Sequence, residues 1–215
     1  MDTRRWLQDS LPLMEKMQEE LASVDPFVLG ARSGATYRQL GAAHGELTLA
    51  YFDQVNLISY PEFQARDAKT GKECPPKLLL LFLHYLHTAD GTSAADRWIS
   101  FRELPDGTFY GQAFQSYTGA RLVAAFGNEL GQFREAAIQA GGEELSLGDA
   151  AFMFRALPRV PLGVVYWLGD EEFDPYANVL FDAAASHYLS TDGLAVLGSD
   201  LCSRIMRYGQ QRELE

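Results

Sequence analysis

The chain has 215 residues, 47% of them hydrophobic and 22% charged, with two cysteines and a net charge of −11. This length and apolar fraction exclude a disordered chain and leave room for a core that needs no disulfide staples. The acidic balance and the scatter of Lys and Arg exclude a concentrated phosphate-binding face, so nucleic acid is not an expected partner.

Residues 4–23 place Trp6, Leu7, Leu11, Met14, Met17 and Leu21 at spacings of three and four, predicting an amphipathic helix with Glu15, Glu19 and Glu20 outward. Asp25-Pro26 opens a short helix to about Arg32, with Asp as N-cap and Pro at the first helical position. Alternation over Glu46–Phe52 and Gln54–Tyr60 predicts a hairpin, and Phe63 extends a third strand. After Pro75-Pro76, the segment Lys77–His87 is apolar nearly all round and predicts a buried central helix near 77–88.

Trp98–Phe101 reads as a short strand stopped by the turn signal Pro105-Asp106-Gly107. One helix is expected over Phe109–Phe126 and another over Asn128–Ala140, closed by Gly141-Gly142. Ala151–Leu157, Leu162–Leu168 and Asn178–Phe181 read as strands, with Pro158-Arg159-Val160-Pro161 kept out of any ladder by its prolines. Leu194, Leu197, Leu201, Ile205 and Tyr208 predict a last helix capped by Ser190 or Thr191. Helices and strands are segregated rather than alternating. The expected class is α+β, with mainly antiparallel sheets packed against several helices. A single domain over 1–215 is expected, with a helical and hairpin part over about 1–73 and a main body over about 74–215.

Cys74 and Cys202 are too few and too far apart for a zinc ribbon, a redox pair or a disulfide framework, so a reduced, cytoplasmic chain is expected. The N-terminal stretch lacks a signal peptide's apolar core. The run Leu78–Leu83 is far short of the roughly 20 residues of a membrane helix. A dinucleotide fingerprint, a phosphate loop, a zinc-protease helix motif and a serine nucleophile elbow are all missing.

Three groups of residues carry candidate chemistry. His84 and His87 lie three apart on the central helix and, with Asp90 at its end, form a candidate divalent-metal set; the alternative makes His84 a core histidine and puts His87 at the polar rim. Asp170-Glu171-Glu172-Phe173-Asp174 resembles the start of a calcium loop. Pro175 falls where that loop needs its turn glycine, and Phe181 where it needs a bidentate Glu, so the segment reads as a solvated turn. Arg102 in Phe101-Arg-Glu-Leu-Pro105 and Arg155 in Phe154-Arg-Ala-Leu-Pro158, followed by Arg159, place arginines at strand ends beside aromatics. There a guanidinium can hold a carboxylate or phosphate bidentately, or tie the sheet to the acidic turn. Trp98 and Trp167 complete this candidate ligand-binding surface. The Ser186-His187 pair is adjacent in sequence, a poor geometry for a catalytic triad.

Three ordered blocks resemble an uncharacterised domain-of-unknown-function family of anaerobic bacteria and archaea. They are Trp98–Pro105, Leu147–Pro161, and Trp167–Pro175 continuing through Asn178–Asp182 to Tyr188-Leu189. Some members are fused to a four-cysteine iron–sulfur module of the corrinoid iron–sulfur protein type, which two cysteines cannot hold here. The resemblance implies a context rather than a mechanism. The expected function is a non-catalytic accessory or binding module in anaerobic redox or one-carbon metabolism. It would bind a small anionic ligand, a corrinoid-like cofactor or a partner protein such as an iron–sulfur protein. A metal-dependent enzyme using His84, His87 and a carboxylate is the alternative, and a purely structural role the third reading.

Overall fold

The first predicted periodicity is helix α1 (Thr3–Ala22) in the computed structural model, which describes the backbone over residues 3–211 and side chains over 12–210. Met17 and Leu21 are buried while Glu15, Glu19 and Glu20 face outward; Trp6, Leu7 and Leu11 lie outside the described side chains. In α2 (Pro26–Ser33) the Asp25 carboxylate accepts a hydrogen bond from the Phe27 N–H at 2.8 Å, and Gly34 closes the helix at φ 76°. Both ends match the capping chemistry of the sequence.

The chain sorts into two units. The first takes the chain up to Ala94 together with Leu157–Val160 and Ala184–Gly193. It contains an antiparallel four-stranded sheet in the order β1 (Thr36–Gln39), β2 (Gly45–Tyr51), β3 (Gln54–Tyr60) and β4 (Ala65–Asp67). The predicted hairpin is β2–β3, paired from Gly45↔Tyr60 to Tyr51↔Gln54. The third strand starts at Ala65 and not at Phe63, which turns through φ 51° with its ring fully buried. Strand β1 was not foreseen: it is short, polar and mostly exposed, and so carries no alternating signal. Helix α3 (Pro76–Thr88) is the expected central helix, with Leu80–Leu83, Tyr85 and Leu86 buried. It packs against α1 and α2, and the Phe82 ring meets Tyr51 of β2 edge-on at 5.7 Å.

Two polar devices hold this unit. The Tyr85 hydroxyl donates to the Ser33 carbonyl and accepts the Arg159 N–H, joining α3, the end of α2 and the turn at 158–159. Glu46 is buried at 6% exposure and accepts from Arg38 at 3.2 Å and Arg66 at 2.6 Å.

The second unit comprises Ala95–Ala156, Pro161–Ala183 and the chain from Leu194. Its five-stranded sheet runs in the order β5 (Trp98–Ser100), β9 (Tyr176–Asp182), β8 (Val160–Trp167), β7 (Ala150–Leu157) and β6 (Glu143–Leu145). Leu162, Val164, Tyr166, Val179 and Phe181 form one fully buried face. Helices α4 (Gly107–Tyr117), α5 (Gly119–Phe126), α6 (Leu130–Gln139) and α7 (Thr191–Gln211) belong largely to this unit. The buried face meets α4 through Phe114 and Phe181, and α6 through Phe133 and Tyr166, with centroids 5.9 and 4.6 Å apart. Gly198 of α7 lies close to Phe114 and Val179, and Leu194, Leu197, Leu201 and Ile205 of the expected apolar stripe are fully buried. The expected α+β class with antiparallel pairing is the observed one.

Two expectations are corrected here. The single helix over Phe109–Phe126 is broken at Thr118 (φ −123°, ψ −94°), whose hydroxyl donates to the Phe114 carbonyl while Gly119 turns against the Ala177 carbonyl. Val160 and Pro161 belong to β8: the ladder to β9 opens only at Leu162↔Phe181, so Pro161 lies before the first pair with that neighbour. Both cysteines are free thiols. Burial pushes Cys202 up to about 12, which makes it inert near neutral pH. Among the described residues no helix is long and apolar enough to cross a membrane.

Replacing Tyr85 by Phe strands the Ser33 carbonyl and the Arg159 N–H while keeping the ring. The expected loss is about 1–3 kcal/mol, read as a lower urea midpoint at unchanged m-value.

Candidate functional site

Strand β5 pairs with β9 over three residues only, from Trp98↔Asp182 to Ser100↔Leu180. The reason is local. The Glu103 carboxylate accepts from the Ser100 N–H at 2.7 Å and from the Ser100 hydroxyl at 2.8 Å, which turns Phe101–Glu103 into a 3₁₀ turn and lifts the chain off the sheet. The same hydrogen bonds hold the Glu103 carboxyl below its ordinary range. Asp106 then takes φ 58° and α4 begins at Gly107, where a Cβ would lie 1.9 Å from the Phe101 carbonyl oxygen. Only glycine allows that return.

Helix α4 leads into α5, which lies against β9 beyond the end of β5. Phe114 stacks on Phe101 with centroids 4.0 Å apart and planes 10° off parallel. The Gln115 amide donates to the Ala177 carbonyl at 2.8 Å, standing in for the missing strand partner. The space left between the end of β5, α4 and β9 is a pocket of about 420 Å³. Phe101, Phe114 and Tyr176 supply its rings, Arg102 its positive charge, Ser100, Gln115 and Asn178 further polar groups, and Gly111 an opening in α4.

The Arg102 stem crosses Gly111, where a Cβ would come within 2.6 Å of Arg102 Cγ. Among the described residues its guanidinium has no carboxylate within 4.0 Å and no hydrogen-bond acceptor, and the Asn178 side-chain amide has no partner either. Tyr176 is 47% exposed, with its ring 5.7 Å from that of Trp167. This arrangement can bind an anion and pack a ring.

The other predicted residues are placed differently. Trp98, Arg155 and Trp167 project from the sheet face opposite the buried one, as the registers of β5, β7 and β8 require. Trp98 lies over Gly163 and Trp167 lies beside the pocket's Tyr176. Arg155 is two strands away from β9 and sits 3.6 Å from Glu143. Arg159 belongs to the hairpin tip grouped with the first unit. Of the five ligand-binding candidates, the pocket itself contains Arg102.

His84, His87 and Asp90 are not brought together. His87 is paired with Glu20 at 2.7 Å, and Asp90 with His187 Nδ1 at 2.7 Å. His84 is held below its ordinary pKa by burial and by His87, and makes no hydrogen bond among the described residues, so no backbone carbonyl receives its proton. Among the described residues no group of three or more His, Cys, Asp and Glu could hold a metal ion. The acidic turn is solvated, with Asp170 accepting from the N–H groups of Glu172 and Phe173.

Sequence reasoning missed Gly111, Gln115, Tyr176 and Asn178 of the pocket. Their partners lie far away in sequence; the usable signal was Ser100-x-x-Glu103, a capping pattern that announces the early end of β5. The pairing of Asp90 with His187 likewise had no local signal.

The family model described as Domain of unknown function (DUF3786) matches residues 25–204, and the chain belongs to that family. Comparison with curated proteins and with solved structures gives no match.

Asp90 is lowered from an ordinary 3.8 to about 2 by hydrogen bonds from Thr92 and His187. A lowered carboxylate stabilises the fold above its unfolded pKa and loses that contribution as pH falls through the folded value. Asp90→Asn is expected to lower the urea midpoint at pH 5, and the gap to the parent is expected to close as pH falls from about 4 towards about 2.

Proposed function

We propose that this DUF3786 member is a ligand-binding module whose pocket beside β9 takes a small organic anion. The observation that carries the reading is Arg102, a guanidinium without a counter-charge among the described residues, at a pocket whose other polar groups are neutral. An arginine in that position receives a carboxylate through two parallel hydrogen bonds. Asn178 supplies a further donor and acceptor. A volume of about 420 Å³ is at the small end of the range for drug-sized ligands, which favours a small anion over a corrinoid macrocycle.

An accessory role in anaerobic redox or one-carbon metabolism, in the cytoplasm and beside an iron–sulfur protein partner, is the context we attach to this module. It rests on the sequence resemblance alone.

Arg102→Gln keeps a polar side chain and removes the bidentate charge. Across a panel of carboxylates followed by thermal shift, it is expected to weaken binding by about 10–100-fold, the worth of a charge-assisted pair. Arg155→Gln and Arg159→Gln are expected to leave binding unchanged. Equal binding by the parent and the Arg102 variant would remove the reading.

A further inference from the structure

We infer that the anion taken by this pocket is an aromatic monocarboxylate, a flat ring bearing a single carboxylate; this deepens the binding reading above and rests on it. The charge available limits the head group. The pocket offers one guanidinium and neutral amides, without a lysine or a second arginine among its lining residues. A phosphate, with about −1.5 to −2 charges and three strong acceptor oxygens, demands more positive charge and more donors than this. A carboxylate matches one guanidinium fork in both charge and width.

The walls define the rest of the ligand. Phe101 and Phe114 are stacked at 4.0 Å and almost fully buried, so they give the pocket an apolar base and leave Tyr176 as its accessible ring. Tyr176, on the other face of β9, lines the pocket while half exposed, its ring 5.7 Å from that of Trp167. A tyrosine that remains this open after folding has one face available for an incoming ring, and offset stacked or edge-on ring pairs gain over aliphatic contacts of similar area. The Arg102 stem lies over Gly111, which puts its guanidinium at the same pocket as the Tyr176 ring.

The test is calorimetric titration of the full chain with benzoate, 2-naphthoate, cyclohexanecarboxylate, acetate and inorganic phosphate. Benzoate is expected to bind about 3–10-fold more tightly than cyclohexanecarboxylate, the effect of one or two ring–ring contacts. Acetate and phosphate are expected to be weaker still, and 2-naphthoate the tightest. Tyr176→Leu, a half-exposed substitution that leaves the buried core untouched, is expected to erase the preference for benzoate over cyclohexanecarboxylate while acetate binding is unchanged. Gly111→Ala is expected to weaken every carboxylate in parallel, because the new methyl displaces the Arg102 stem. Equal affinity for the aromatic and saturated acids, with binding still lost in Arg102→Gln, overturns the aromatic assignment and leaves the anion pocket standing. Tightest binding of phosphate overturns the monocarboxylate assignment. Binding of no carboxylate, with the parent folded, overturns both readings.

Discussion

An edge strand that stops early leaves backbone donors and acceptors of its neighbour uncovered, and the second unit is organised around covering such a gap. Strand β5 reaches only Ser100, because Glu103 draws both the Ser100 N–H and its hydroxyl into a turn. The rest of β9 is then covered from the side by a helix and not by a strand. That substitution sets demanding conditions. The Gln115 amide must reach the Ala177 carbonyl, and Gly119 must lie close against the same oxygen. Gly107 must pass within contact of the Phe101 carbonyl, and Thr118 must break the helix so that Gly119 arrives in place. A helix is rounder than a strand and cannot fill the space a strand would have filled. The pocket is that residual space, and its lining is therefore a mixture of strand, turn and helix residues.

The first unit solves a different problem, burying polar groups without leaving them unmatched. Glu46 lies on β2 between Arg38 on β1 and Arg66 on β4, so one carboxylate bridges non-adjacent strands of the sheet. The arginines remain half or more exposed and keep much of their hydration, which limits the desolvation penalty to the single carboxylate. Tyr85 performs the same service for backbone groups, accepting one N–H and donating to one carbonyl inside a helix that is otherwise apolar. Both devices tie strands, helices and turns of this unit together through polar side chains. His87 and His187 each face a separate carboxylate, and half-buried His84 makes no hydrogen bond among the described residues.

What was legible in the sequence was local. The Asp25-Pro26 cap, the all-apolar α3, the β2–β3 alternation and the stripe of α7 depend on neighbours within one or two turns of chain, and each element formed close to its expected bounds. What failed was set by distant contacts: the break at Thr118 answers to Ala177, and the turn at Phe63 answers to a buried ring site. The candidate site shows the same division in one comparison. Phe101-Arg-Glu-Leu-Pro105 and Phe154-Arg-Ala-Leu-Pro158 look alike as written. The first is preceded by Ser100 and contains Glu103, so it curls into a cap and delivers Arg102 to a pocket. The second has Met153 and Ala156 at the matching positions, so no such cap forms, the strand runs on to Leu157, and Arg155 projects towards Glu143. One serine–glutamate pair separates the two outcomes.

In a chain with a net charge of −11, an arginine left without a carboxylate partner among the described residues is harder to arrange than one that is neutralised. Several arginines here are matched internally: Arg38 and Arg66 to Glu46, Arg134 to Glu144, Arg155 to Glu143. Arg102 has a glutamate as its immediate neighbour in sequence, and would be expected to share its field. The capping turn prevents this by directing the Glu103 carboxylate back onto Ser100, where two hydrogen bonds hold it. The Arg102 stem meanwhile lies over Gly111 of α4. The interaction that shortens β5 and opens the pocket is thus the same one that removes the nearest competitor for its arginine. Geometry and electrostatics of the site have a common origin, and a substitution at Glu103 would alter both together.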